Sequence, residues 1–396
     1  MWRTLALLTI AIASACSCGP SGGRSSDPPA ALGSFAPRLQ RTGNRVVLSW
    51  VEPDASGIPA LRFSVRQDNA WSSSRVVTKD KSLAASPSDV PAVVPFGERG
   101  LAAHWTIKRN GSAHARNLVV AVSRDDGVSW SRPVRPHRDD TESEHGMATL
   151  LPSMTDSGFG VCWLDGRAGA LADYGEGGTA LYWAEWNGEG FGPEVELDPR
   201  VCDCCKTSAA LGPDGPIVVY RDRAEKELRD IALVRRDGAV WTPPRPVHLD
   251  GWSLTACPTN GPAVATLGQR LAVAWFTGAG ALPSVWIALS SDGGKSLGAP
   301  MRLDEGSPVG RVEATMLADG STAVSWVERK GRDAEVRVRR VSPDGVPMPS
   351  VVVAATSPSR ASGYPSLVSE GSNGVLVAWT EVGTPGRIHV RATQLP

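Results

Sequence analysis

The sequence predicts an all-β fold, a β-propeller, and three observations carry that prediction. An apolar strand ending in an aromatic residue recurs seven times, at Trp50, Trp105, Trp163, Tyr220, Trp275, Trp326 and Trp379, with spacings of 51 to 58 residues. Each recurrence is followed by an alternating segment such as LRFSVRQ, NLVVAVS or VRVRRVS, with Gly, Asp and Pro turns and no helical periodicity. Tryptophan, at 14 residues, outnumbers Phe and Tyr together, the bias that one fixed aromatic position per repeat would leave.

The repeat unit justifies the architecture. Four short strands per unit make a sheet that cannot bury both of its faces alone, so the units must pack side by side around an axis. We count seven units, the last of which (363 to 396) stops after three strands. The alternative is a six-bladed ring with one unit used differently. The mature domain is drawn as one propeller from residue 34 to 396.

The ends read differently from the middle. Arg3 precedes an apolar run, Leu5 to Ala13, that is too short to span a bilayer, which takes about 20 residues. Ala13-Ser14-Ala15-Cys16 resembles the bacterial lipobox. That resemblance implies a signal peptide over 1–15, cleavage before Cys16 and acylation of its thiol, with Cys18 a second register and an ordinary cleaved signal the alternative. Residues 16–33, rich in Gly, Ser and Pro, read as a flexible tether. The expected location is the cell envelope, on the outer membrane because Ser17 and not Asp follows the cysteine. The lipid is then the sole membrane attachment. A formal net charge of zero offers no electrostatic case for a nucleic-acid partner.

Ser123-Arg124-Asp125-Asp126-Gly127-Val128-Ser129-Trp130 matches the Asp-box, S-x-D-x-G-x-x-W, and Ser290 to Leu297 repeats it without the aromatic. The chain therefore resembles the sialidase-like (BNR or Asp-box repeat) propeller superfamily. The box is a turn between third and fourth strands, where Asp bonds amides and Gly takes positive φ. It identifies a fold and not an activity. Gly294-Lys295-Ser296 within the second copy is not a phosphate loop, because Leu289 stands where that motif needs its first glycine.

The resemblance places substrate chemistry on the face opposite the Asp-boxes, where the blade-linking loops and those after the aromatic strands lie. These loops hold HRDDTESEH from His137 to His145, the Cys202-Asp203-Cys204-Cys205 cluster, and His248 through Cys257 to Asn260. Arg167, Arg221, Arg223 and Arg229, with His145, are candidates for binding a substrate carboxylate, since a guanidinium fork matches one bidentately. Asp165, Asp222 and Asp230 are the candidate general acids. The competing reading is that these Arg–Asp spacings brace loops. The family's Tyr–Glu nucleophile pair is not evident: the tyrosines are Tyr174, Tyr182, Tyr220 and Tyr364, and none has a convincing Glu partner.

Cys162 reads as a small buried apolar residue. Cys202, Cys204, Cys205 and Cys257 admit two disulfides in an oxidising compartment, with Cys257 bridging to the cluster. They equally admit a thiolate site for Cu or Zn, with His145 or His248 adding an imidazole. Three functional classes follow: a glycan-directed protein (an exo-sialidase-type hydrolase or an inert binder, with a sialylated or other acidic glycan as partner), a metal-handling propeller, or an interaction scaffold.

Overall fold

A computed structural model describes residues 27–67, 69–109, 114–153, 158–171 and 178–396. The signal segment with Cys16 and Cys18, the first part of the tether and Tyr174 lie outside these residues.

The chain forms seven antiparallel sheets in succession, each a blade. The aromatic strands are the second strands of the blades: Arg45–Pro53, Gly100–Lys108, Phe159–Asp165, Pro216–Arg221, Arg270–Thr277, Thr322–Lys330 and Gly374–Glu381. The strand before each one lines the axis and the strand after it lies further out. Among the described residues, regular helix is confined to Arg167–Leu171 and three 3-10 turns.

The hydrophobic residues divide into seven clusters, and each cluster joins two neighbouring blades. Seven blades with seven interfaces make a closed ring, which rules out the six-bladed alternative. Trp50, Trp163, Trp275 and Trp326 are wholly buried at these interfaces. Each blade is covered on both faces, so its second strand shows no polar side.

The last interface closes the ring. Leu48 and Trp50 of the first blade pack on Leu376, Ala378 and Ile388 of the seventh, and Ala30 joins the same cluster. The seventh sheet has three strands, Ser366–Glu370, Gly374–Glu381 and Arg387–Gln394. The N-terminal segment edges its third strand. Gly33 donates its amide to the Gly386 carbonyl at 2.7 Å, and Ile388 donates to Ser34 Oγ at 3.1 Å. Docking thus starts before residue 34, inside the stretch read as tether.

Both Asp-boxes form the expected turn. Ser123 Oγ donates to Asp125 at 2.7 Å, Asp125 accepts the Ser129 amide at 2.9 Å, and Gly127 sits at φ 81°. A Cβ on Gly127 would stand 2.3 Å from the Phe63 ring, and Trp130 packs edge-on against that ring at 5.9 Å. Asp292 repeats the bonds with Ser290 and Ser296.

Candidate functional site

The sequence candidates of the third to fifth blades fall into two groups on the face opposite the Asp-boxes, His145 with Asp165 and Arg167, and the cysteines with Arg221 and Arg229. Their geometry separates bracing groups from available ones.

The arginines are mostly engaged. Arg221, 1% exposed, directs Nε at the Asn260 carbonyl (2.9 Å), Nη1 at the Arg229 carbonyl (2.5 Å) and Nη2 at the Phe276 carbonyl (2.7 Å). No edge of its fork remains for a substrate carboxylate. Arg223 pairs with Glu227 at 3.0 Å, and Arg229 bonds Glu227 at 2.5 Å and the Leu254 carbonyl at 3.1 Å. Arg167 grips Asp165 through two nitrogens, at 2.9 and 2.6 Å, and reaches Glu194 at 2.6 Å. The expected carboxylate-binding cluster is therefore a set of loop braces.

The acids follow the same rule. Asp165 is fully buried and accepts the Trp163 indole N–H at 2.8 Å as well as Arg167. Asp230 accepts the Gly251 and Trp252 amides at 3.2 and 3.1 Å. Asp222 alone has a general acid's character: burial, then the neighbouring Asp198 charge, pushes its carboxyl up to about 6.

Among the described residues the axis offers no free tyrosine nucleophile. Tyr364 is buried, donates its hydroxyl to the Thr259 carbonyl at 2.8 Å and accepts the Gly261 amide at 2.9 Å, with the Lys206 ammonium 5.1 Å over its ring. Glu313 is held instead by Arg38 and, at 3.5 Å, by Lys206. A cavity of about 30 Å³ beside Tyr364, Lys206 and His104 has room for a water or two and none for a sugar ring. The wider part of the axis, about 320 Å³, lies at the ends of the innermost strands, lined by Thr42, Pro152, Thr266 and Ser369. That is the Asp-box face.

The cysteines do converge. Cys202 Sγ lies 3.4 Å from Cys205 Sγ and 3.7 Å from Cys204 Sγ, and Cys257 Sγ falls within 4.8 Å of Cys204 and of an Asp203 oxygen. All four are free thiols, as is buried Cys162. The expected disulfides are thus not formed, since a bridge needs about 2.05 Å between sulfurs. Neither candidate imidazole joins the thiols. His145 bonds Asp139, and His248 bonds Asp250 at 2.8 Å. Hydrogen bonds from Cys204 and Cys205 push the Cys202 thiol far down, and the bond with Cys202 pushes Cys204 up. Arg229 and Arg221 act electrostatically on Cys202, and Arg229 Nη1 is buried without an acceptor. Cys202 and Cys205 are buried, Cys204 is partly exposed and Cys257 exposed, which leaves one open side.

Sequence reasoning passed over two groups. His137 and Asp139 lie in a loop noted for its charge, and they assemble around His145. A cleft of about 400 Å³ on the Asp-box face, between the third and fourth blades, is lined by Phe159, Trp183, Glu185, Trp186, Asn187 and Arg236.

No family model and no curated protein matches the chain. Solved structures do. A Dyadobacter fermentans protein of unknown function is 16% identical, with 92% of this chain and 95% of that one covered, at a TM-score of 0.51. The Fusarium graminearum α-L-arabinofuranosidase is 13% identical, covering 93% and 96%, at 0.50. The Streptococcus pneumoniae sialidase NanB is 12% identical, covering 92% and 69%, at 0.43. In architecture the chain is a seven-bladed β-propeller.

Proposed function

We propose that this is an exported propeller that holds a soft d10 cation, Cu(I) or Zn(II), on Cys202, Cys204, Cys205 and Cys257. The observation that carries the reading is the sulfur spacing. A metal–sulfur bond of about 2.3 Å in a tetrahedron sets sulfurs about 3.8 Å apart; Cys202 stands 3.4 and 3.7 Å from Cys205 and Cys204, and Cys257 joins from the Cys204 side. Four thiolates on Zn(II), or three on Cu(I), leave a net charge of −2. Arg221 and Arg229 are two buried cations placed against it. Free thiols this close would oxidise in the envelope compartment that the N-terminal signal implies, and a bound metal removes that hazard. Native and denaturing mass spectrometry of the full-length chain tests it. A metal mass lost on denaturation, with Cys202, Cys204, Cys205 and Cys257 then all alkylated, supports the site. A metal-free protein two hydrogens lighter per bridge excludes it.

The second reading, glycan binding, is favoured by the cleft between the third and fourth blades. Trp183 and Trp186 line it but are buried in the core beneath, 2% and 8% exposed, so the groups on offer to a sugar are chiefly the polar ones of Glu185, Asn187 and Arg236. Arg236 already pairs with Glu185 through Nη1, so an acidic, including sialylated, glycan would be met by the rest of its guanidinium. Asp222 follows the second strand and so lies at the opposite face, so this reading is one of binding. Titration of tryptophan fluorescence with sialosides and neutral oligosaccharides checks it: a saturable change abolished in Arg236→Ala and Trp186→Ala supports binding, and a flat response throughout removes the reading.

A further inference from the structure

The donors around the thiols form two triangles that share one corner. In the first, the sulfurs of Cys202, Cys204 and Cys205 all lie within 4.8 Å of one another. In the second, the sulfurs of Cys204 and Cys257 lie within 4.8 Å of each other and of an Asp203 oxygen. Cys204 is the corner common to both. Cys257 does not come within that distance of all three sulfurs of the first triangle.

The backbone holds the two triangles in place. The Cys202 amide donates to the Arg221 carbonyl at 2.9 Å, which fixes the start of the loop before the fourth blade. Cys257 stands in the loop before the fifth blade, and the residues after it are pinned. Arg221 donates Nε to the Asn260 carbonyl at 2.9 Å. The Tyr364 hydroxyl bridges the Thr259 carbonyl and the Gly261 amide, at 2.8 and 2.9 Å. Thr259 itself sits at φ 49°, a conformation that a β-branched residue adopts only when its surroundings impose it.

Charge divides along the same line. Arg221 and Arg229 act on Cys202, at the inner end of the cluster. The outer end carries an acid instead, with Asp203 Oδ1 3.7 Å from Cys257 Sγ and the Glu144 charge beside Asp203. The nearby Arg360 donates to the Cys257 carbonyl at 3.5 Å. Burial divides the donors too: Cys202 and Cys205 are each 1% exposed, whereas Asp203 and Cys257 face solvent.

We infer that the cluster holds two cations bridged by the Cys204 sulfur, an inner ion on Cys202, Cys204 and Cys205 and an outer ion on Cys204, Cys257 and Asp203. The inference rests on the reading of these thiols as a metal site and extends it from one ion to two. A thiolate sulfur has three lone pairs, so it can bind two ions at once. Bonds of about 2.3 Å to sulfur and about 2.1 Å to oxygen set those atoms about 3.6 Å apart in a tetrahedron. Cys257 and Asp203 stand at 3.7 Å. The inner ion has three thiolates and no carboxylate, so it suits Cu(I), while the added oxygen makes the outer place a zinc-class one. Solvent exposure makes the outer ion the exchangeable one.

Cd(II) is the probe, since it is d10 like Cu(I) and Zn(II) and has a spin-half isotope. The full-length chain is titrated with it and followed by native mass spectrometry and cadmium NMR. The expected result is saturation at two ions, with two resonances that split each other, because that coupling passes through a shared sulfur. Asp203→Asn should bind one ion, with one unsplit resonance, and Cys257→Ser should do the same. Cys204→Ser should abolish the splitting and weaken both ions. Asp203 is exposed, so Asp203→Asn decides the matter even where Cys204→Ser fails to fold. Saturation at one ion in the natural chain, two unsplit resonances, or two ions retained in Asp203→Asn overturns the bridge while the single-ion reading stands. No bound cadmium at all overturns both.

Discussion

The Trp163 indole nitrogen donates to Asp165 at 2.8 Å, two residues further along the same strand. The same pairing joins Trp50 to Glu52 at 3.0 Å and Trp326 to Glu328 at 2.6 Å. In three of the seven blades the carboxylate two residues on thus satisfies the polar handle of a buried tryptophan, and in a fourth Asp250 does so for Trp275 at 2.8 Å. Asp165 has the chemistry of a catalytic acid and the contacts of a structural one.

Asp165→Ala and Glu328→Ala should therefore behave alike. Each strips a charged acceptor from a buried N–H, at a cost of about 1.5–3 kcal/mol. Denaturant unfolding should show both losses, although Glu328 lies in the sixth blade, away from the candidate sites. A loss in Asp165→Ala with none in Glu328→Ala would return Asp165 to a special role.

Arg221→Ala should cost more, roughly 3–5 kcal/mol, because three buried carbonyls lose their donor together. Arg221→Lys should recover little, since one ammonium cannot reproduce a planar fork aimed at three oxygens. The measurement is again the unfolding midpoint. A fully stable Arg221→Ala protein would reopen the case for a substrate-facing guanidinium.

These two residues show what the sequence could and could not disclose. The ring was legible because one buried aromatic per repeat leaves a period that chance does not. The W-x-[DE] spacing at Trp50, Trp163 and Trp326 was equally visible, and would have marked Asp165 as structural had it been read beside the repeat. Arg221 was not legible: Tyr220 and Arg221 are consecutive and both buried, since a blade is covered on both faces and alternation carries no information there. Cys204 and Cys257 meet only because neighbouring linking loops are folded together, and C-x-C-C spacing names no partner. His137 joins His145 through a loop turned back on itself by Asp139, which accepts from Thr141, and no periodicity announces such a turn.

Cys257→Ser should separate the two metals of the thiol site. Zn(II) takes four ligands, so removal of the exposed thiol should weaken it by more than the roughly 10–100-fold that loss of an outer partner costs. Cu(I), satisfied by Cys202, Cys204 and Cys205, should be retained nearly unchanged. Competition against chelators of known affinity reads both. Equal weakening of the two ions would place Cys257 in every complex, and no weakening of either would remove it from the site.

Stability should also fall in mild acid, and His104 gives the sign. The ring is 3% exposed, and burial, then the Arg38 charge, pushes it down to about 3. In the unfolded chain it titrates near 6.5. Between those values the unfolded state binds a proton that the folded state refuses, so stability is intact above pH 6.5 and declines as pH drops toward 3. The full loss is on the order of 4 kcal/mol. The readout is the slope of unfolding free energy against pH from 7 to 4, compared between the natural chain and His104→Gln. Glutamine does not titrate, so the variant should have a lower starting stability and a distinctly shallower slope. Parallel slopes would assign the acid sensitivity to other groups and show that the interior around His104 admits a charge.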